Sequence, residues 1–177
     1  MKLSNILIIT AMSVVLLISG GCHSSKYKIP YPKSNAEQEY FHVSENLSSS
    51  DRKKIIRESQ KWLGIPYKYG GNSMDEGVDC SGMVTMVYLN ALNRKLPRNS
   101  LAQSEFCEEL KAKQVRPGDL AFFATGKDPD RISHVGIMLD DDNFIHSSTS
   151  KGVVISQLSA PYWTRTFKMF GRVPGIK

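Results

Sequence analysis

Residues 132–148 read ISHVGIMLDDDNFIHSS. The first run alternates apolar and small or polar residues around His134. Asp140, Asp141 and Asp142 form a turn, and NFIHSS runs back. Two short alternating runs joined by a tight polar turn predict an antiparallel hairpin. Parity then fixes the faces. If 140–142 is the loop, His146 stands opposite Gly136, and His134 is its diagonal neighbour on the same face. A two-residue loop would place the imidazoles on opposite faces. Gly136, between them, leaves room for the rings to pack.

The surrounding chain extends the sheet. RPGDLAFFAT before the hairpin is a turn feeding an apolar strand, with Gly118 and Asp119 as turn residues. GVVISQL and TFKMFGRVP follow it as further strands. Upstream the period changes to that of helices. Ser48, Ser49 and Ser50 offer an N-cap, and Asp51 suits a helix start. Ile55, Ile56, Ser59, Trp62 and Leu63 then share one face, and Gly64 and Pro66 end the run. DRKK at 51–54 reads as a solvated helix face rather than a nucleic-acid patch. PYKYGGNSMDEG is a loop. A second helix from about Cys80 buries Met83, Val84, Val87, Tyr88 and Ala91. LAQSEFCEELKAK predicts a helix over 102–113, with Cys107 as a buried thiol. Helices first and strands second give an α+β fold with an antiparallel sheet rather than a doubly wound one.

The 177 residues suit one domain with accessories, and 41% hydrophobic and 23% charged residues suit a globular chain. Residues 6–18 form a nearly continuous apolar run of 13 residues behind Lys2. A spanning helix needs about 20, so residues 1–21 read as a signal peptide. Ser19, Gly20 and Gly21 precede Cys22 and resemble the lipobox of bacterial lipoproteins, in which the cysteine is lipidated. The expected product is anchored in the cell envelope through lipid on Cys22, or secreted if cleavage is of the ordinary kind. Residues 22–47 read as a tether, spanning roughly 25–30 Å as a coil, and 48–177 as the domain. The net charge of +6 favours an anionic envelope polymer or lipid surface as partner and is too scattered for nucleic acid.

GVDCSGMV at 77–84 raises the question of chemistry. Cys80 can be a core thiol, half of a bridge to Cys107, a zinc ligand, or a nucleophile. Cys80, His134 and His146 are acceptable zinc ligands, but their spacing is no known zinc pattern and no fourth ligand is evident. A helix N-terminus and an imidazolium both lower a thiol pKa, ordinarily near ~8.5. Backbone N–H groups at the helix start can receive an oxyanion. We therefore assign Cys80 as nucleophile, His134 as base and His146 as the residue that orients it. Strand pairing alone does not order the two histidines.

GIPYKYGG, GVDCSGMV, RPGDLAFF, ISHVGIML and NFIHSSTSKGVVIS, in this order over about 51–173, resemble the NlpC-type cell-wall peptidases. These are papain-like cysteine endopeptidases of bacterial peptidoglycan. The resemblance implies a papain-like fold, with helices packed on a short antiparallel sheet. It implies Cys80 as nucleophile, His134 as base and His146 as third polar residue. Tyr67 would help the Cys80 backbone N–H hold the oxyanion, while its neighbour Tyr69 packs the loop. Asp79 and Ser81 would contact the substrate peptide, or simply cap the helix. It implies cleavage between D-glutamate and diaminopimelate in the stem peptide, by a monomer without cofactor or metal. Amidase or transferase activity on the same fold, and a wall-peptide binding module without catalysis, are the alternatives. With only residues 23–47 ahead of the domain there is no room for an SH3-like module, so action on intact wall stems is expected.

Overall fold

The structure, a computed structural model, describes residues 50–177. The expected signal peptide 1–21, Cys22 and the tether 22–47 lie outside the described residues.

Helix α1, Ser50–Gln60, opens the domain. Its chain turns at Gly64, whose φ of +79° suits a residue without Cβ. Gly64 N–H then bonds Val153 O (2.9 Å) and Val153 N–H bonds Ile65 O (2.8 Å), so this exit is stitched to a strand far along the chain. Two two-residue strands, β1 (Asn72–Ser73) and β2 (Gly77–Val78), pair within the following loop. Helix α2, Cys80–Leu92, starts where its sequence pattern predicts. Asn93, at φ +53°, closes it: its own N–H bonds Leu89 O and the Arg94 N–H bonds Tyr88 O.

Helix α3 covers only Ser100–Phe106. The helix expected over 102–113 therefore stops early, and Cys107 stands at its end. Glu108–Leu110 form strand β3, and Ala112–Gln114 a 3-10 turn. The helix formers Glu, Leu, Lys and Ala lose here to pairing with the last strand, in the register Glu108↔Arg172 to Leu110↔Phe170. Strands β4 (Leu120–Phe123), β5 (His134–Met138), β6 (Asn143–Ser148) and β7 (Gly152–Gln157) follow. A short helix α4, Pro161–Thr166, with proline in its first turn, precedes β8, Phe167–Arg172. The six-stranded sheet runs β3-β8-β4-β5-β6-β7 and every neighbouring pair is antiparallel. The fold is α+β, as the order of periods predicts.

Alternation along the strands gives the sheet two apolar faces. Val135, Ile137, Leu120, Phe122 and Ile145 pack with Ile55, Ile56, Met83, Val84 and Val87 of the helices. At roughly 1.5–3 kcal/mol per fully buried side chain, this layer is the main source of stability. Ala121, Phe123, Met138 and Phe144 face the other way, against Trp163 of α4 and Phe167.

Two residues depart from expectation at one place. Arg52, read as part of a solvated face, and Asp119, read as a turn residue, are both buried and paired at 3.2 Å. Asp119 also accepts from Arg172 (Nη2–Oδ2 2.7 Å) and from the Arg116 N–H, while Arg52 Nη1 donates to Pro117 O. The Tyr88 hydroxyl bonds Gly118 O beside it. This carboxylate ties α1 to the start of β4 and the end of β8. Substituting Asp119→Ala leaves the buried Arg52 guanidinium without its counter-charge. We expect a loss of about 3–5 kcal/mol of unfolding free energy, read from the urea midpoint at constant m-value. A change under about 1 kcal/mol, the value of a surface pair, would contradict this account.

Candidate active site

Cys80 is the first residue of α2, and Asp79 is its N-cap. The Asp79 carboxylate accepts from Gly82 N–H (2.7 Å), Gly70 N–H (2.8 Å) and both terminal nitrogens of Arg98 (2.7–2.9 Å). Ser81 donates to Arg98 O (2.8 Å). Asp79 and Ser81, expected beside the substrate peptide, thus direct their polar groups into the protein, where they fix the helix start and Arg98. Gly82 has its own reason: a Cβ there would run into the Gly71 carbonyl and Arg98. The loop 67–79 is therefore pressed on the foot of α2, and only glycine fits at the contact.

Tyr67 is carried by the same loop. It bridges to Val78, whose N–H bonds Pro66 O (3.0 Å) and whose carbonyl accepts from the buried Ser147 hydroxyl (2.7 Å). Burial and the neighbouring Cys80 raise the Tyr67 pKa, so its hydroxyl keeps its proton as a donor. Tyr69 does not pack the loop as expected: it is 89% exposed.

The hairpin register pairs Ile137 with Ile145 and Met138 with Phe144, which sets His146 opposite Gly136. His134 and His146 share a face, and His134 Nε2 lies 3.0 Å from His146 Nδ1. His134 Nδ1 is thereby the ring nitrogen not engaged by His146. Cys80, at the start of α2, packs against the apolar layer between the helices and the sheet. Cys80 is half-buried, and Cys80 and Cys107 are both free thiols without a bridge.

Two side chains absent from the sequence reading complete the pair. Trp163 of α4 stacks on the His134 ring (5.4 Å, 26°) and meets His146 edge-on (4.7 Å). The Ser156 hydroxyl lies 3.0 Å from His146 Nε2. Trp163 lies in a short helix that leaves little periodic signal. Ser156 was within reach: the hairpin after Ser148 sets His146 opposite Val154, so Ser156 falls on the same face by parity.

The electrostatics correct one expectation. The helix start and imidazole were expected to depress the Cys80 pKa. Instead burial, then the Asp79 carboxylate, push the thiol up to about 11. Burial pushes His134 down to about 4, and burial with the His134 charge pushes His146 lower still. Both shifts favour a neutral thiol and a neutral imidazole at neutral pH. If His134 serves as base, as the sequence predicts, the thiolate forms by passing its proton to that imidazole.

The NlpC/P60 family matches residues 64–172. The chain is 30% identical over 176 residues to the murein DD-endopeptidase MepS/murein LD-carboxypeptidase of Escherichia coli K12, covering 93% of this chain and 90% of that one. It is 39% identical over 113 residues to the gamma-DL-glutamyl hydrolase of Bacillus subtilis, covering 62% of this chain and 26% of that larger protein. The crystal structure of a lipoprotein-like NLP/P60 family protein of Staphylococcus aureus Mu50 superposes with a TM-score of 0.65. The two are 31% identical, over 72% of this chain and 42% of that one.

The proton-transfer argument has a direct check. Iodoacetamide attacks the thiolate, so labelling rises with pH through the thiol's pKa. In His134→Ala the proton acceptor is gone, and Cys80 labelling near neutral pH should be slower than in the parent. In the parent, labelling should begin at lower pH. Peptide mass spectrometry separates Cys80 from Cys107, whose thiol burial pushes up to about 12. Superimposable Cys80 profiles in the two proteins would show that the imidazole does not serve the sulfur.

Proposed function

The chain belongs to the NlpC/P60 family, an endopeptidase acting on peptidoglycan, and we propose that it cuts the γ-D-glutamyl–diaminopimelate amide of stem peptides with Cys80 as nucleophile. The observation that carries this reading is the hydrogen-bonded His134–His146 pair in a domain whose Cys80 opens a helix. Similarity to a gamma-DL-glutamyl hydrolase supports the choice of bond.

The reaction follows from the atoms available. The Cys80 thiol gives its proton to His134 Nδ1 as the sulfur attacks the amide carbonyl. The carbonyl oxygen becomes an oxyanion, held by the Cys80 backbone N–H and the Tyr67 hydroxyl. His134, now imidazolium, protonates the leaving amine, and the C–N bond breaks to leave a thioester. His134 then takes a proton from water, which attacks the thioester and frees the carboxylic acid. The proton returns to sulfur, so no charge is gained or lost over the cycle. His146 holds the His134 ring throughout.

Likeness along nearly the whole chain to a murein DD-endopeptidase favours a second reading, cleavage between two D-centres. Mass spectrometry of digested muropeptides separates the two. The proposed cut leaves a new D-glutamate γ-carboxyl; the second leaves that bond whole. Cys80→Ala should abolish either product. Tyr67→Phe removes one oxyanion donor and should lower kcat by about 10²–10³ while KM stays close to that of the parent. Full turnover by Cys80→Ala would end the thiol mechanism, and an unaltered Tyr67→Phe would end the tyrosine's part in it.

The proposal extends to the envelope. Residues 1–21 direct export, and lipid on Cys22 anchors the domain to a membrane within reach of the wall. Cys22→Ser should lose incorporation of labelled palmitate and move the protein from the membrane to the soluble fraction. Unchanged labelling would refute the anchor.

A further inference from the structure

The His134–His146 bond can be made in two ways, and only one serves the reaction. In the first, His134 Nε2–H donates to His146 Nδ1. His146 then carries its proton on Nε2, and His134 Nδ1 is bare and can accept from the thiol. In the second, His146 Nδ1–H donates to His134 Nε2. His134 then carries its proton on Nδ1 and cannot act as a base there. The choice is made at the far end of the chain of contacts, where Ser156 Oγ sits 3.0 Å from His146 Nε2.

We propose that Ser156 is a positioning residue that accepts a hydrogen bond from His146 Nε2–H and so fixes the tautomers of both imidazoles. The inference rests on the reading of His134 as base. Two considerations favour the accepting direction. A base needs a bare nitrogen, and only the first arrangement leaves His134 Nδ1 without a proton while keeping the bond to His146. Ser156 is also half-exposed on β7, so its own proton can go to water. Once His134 is imidazolium, both its nitrogens carry protons, and His146 must be the Nε2–H form. Ser156 must then accept from a group that shares positive charge, which strengthens the bond when it is needed.

The surroundings leave few other controls. Trp163 of α4, Phe123 of β4 and Phe144 of β6 pack on the two rings. The charge acting on His146 is that of His134, and the charge acting on Cys80 is that of Asp79. Arg165, the one charged residue of α4, lies over the Tyr162 ring.

The test uses the full chain and muropeptide turnover, with ¹⁵N-histidine spectra of the resting protein as a readout independent of activity. Ser156→Ala should lower kcat roughly 10- to 100-fold, as loss of an outer orienting partner does elsewhere, with KM unchanged. Ser156→Thr keeps the hydroxyl and should restore most of the loss. The acid limb of kcat/KM reports protonation of the base in the free enzyme. It should move to lower pH in Ser156→Ala, where imidazolium loses an acceptor. It should move to higher pH in Ser156→Asp, where a carboxylate stabilises it. The His146 spectrum should show Nε2 protonated in the parent and a mixture of tautomers in Ser156→Ala. If Ser156→Ala matches the parent in kcat, acid limb and spectrum while His134→Ala is inactive, the role of Ser156 is overturned alone. If His134→Ala turns over normally, the underlying reading falls and this inference with it.

Discussion

The bond from His134 to His146 depends on one count of residues, the length of the turn at Asp140–Asp142. Leu139 N–H bonds Asn143 O (2.8 Å), which fixes a three-residue loop and the register of β5 on β6. The aspartates hold that count. Asp140 Oδ1 accepts from the N–H groups of Asp142 (2.8 Å) and Asn143 (2.7 Å), and Asp142 accepts from Ser159 across the sheet edge. A slip of one residue would turn His146 to the other face, among the helices, and leave His134 alone. Gly136 belongs to the same constraint, because a Cβ there would meet the Phe144 ring and His146 Cβ at 3.2 Å.

Cys80 is positioned independently of this pair. The foot of α2 is held by Asp79 with Arg98, by the Gly71–Gly82 contact and by the Ser147 bond to Val78. None of these restraints uses the sulfur or the histidines. The helix start and the hairpin are therefore positioned separately, and the site lies where two rigid elements meet. The Asp119 network is remote from it and serves the first of those elements, by fastening α1 and, through Tyr88, α2 to the base of β4.

The parts of this arrangement that were legible in the sequence are those set by local pattern. Strand alternation, the aspartate turn and the cap at Asp79 act over a few residues, so the hairpin, the shared face of His134 and His146 and the start of α2 could be read directly. What escaped depends on distant partners. Asp119 looks like a turn residue until Arg52 and Arg172 close on it from 67 and 53 positions away. Residues 108–110 carry helix formers and become a strand because β8 offers them an edge. Tyr69 resembles a packing residue by composition, yet its loop turns it outward. The thiol pKa was misjudged for a related reason: helix start and imidazole are visible in the sequence, and burial is not.

That burial decides how the cysteine is kept. Burial raises the Cys80 thiol to about 11 and lowers His134 to about 4, so both shifts favour the neutral thiol and the neutral imidazole at rest. In the proposed reaction a bound amide takes the negative charge from sulfur onto the carbonyl oxygen as the proton leaves. There the Tyr67 hydroxyl and the Cys80 N–H receive it. Proton transfer and attack are therefore best joined in one event, with the sulfur protected as a thiol until a carbonyl is in place. On the proposed export of the domain, to a compartment where exposed thiolates meet oxidants, a nucleophile released only by its substrate is the stable arrangement.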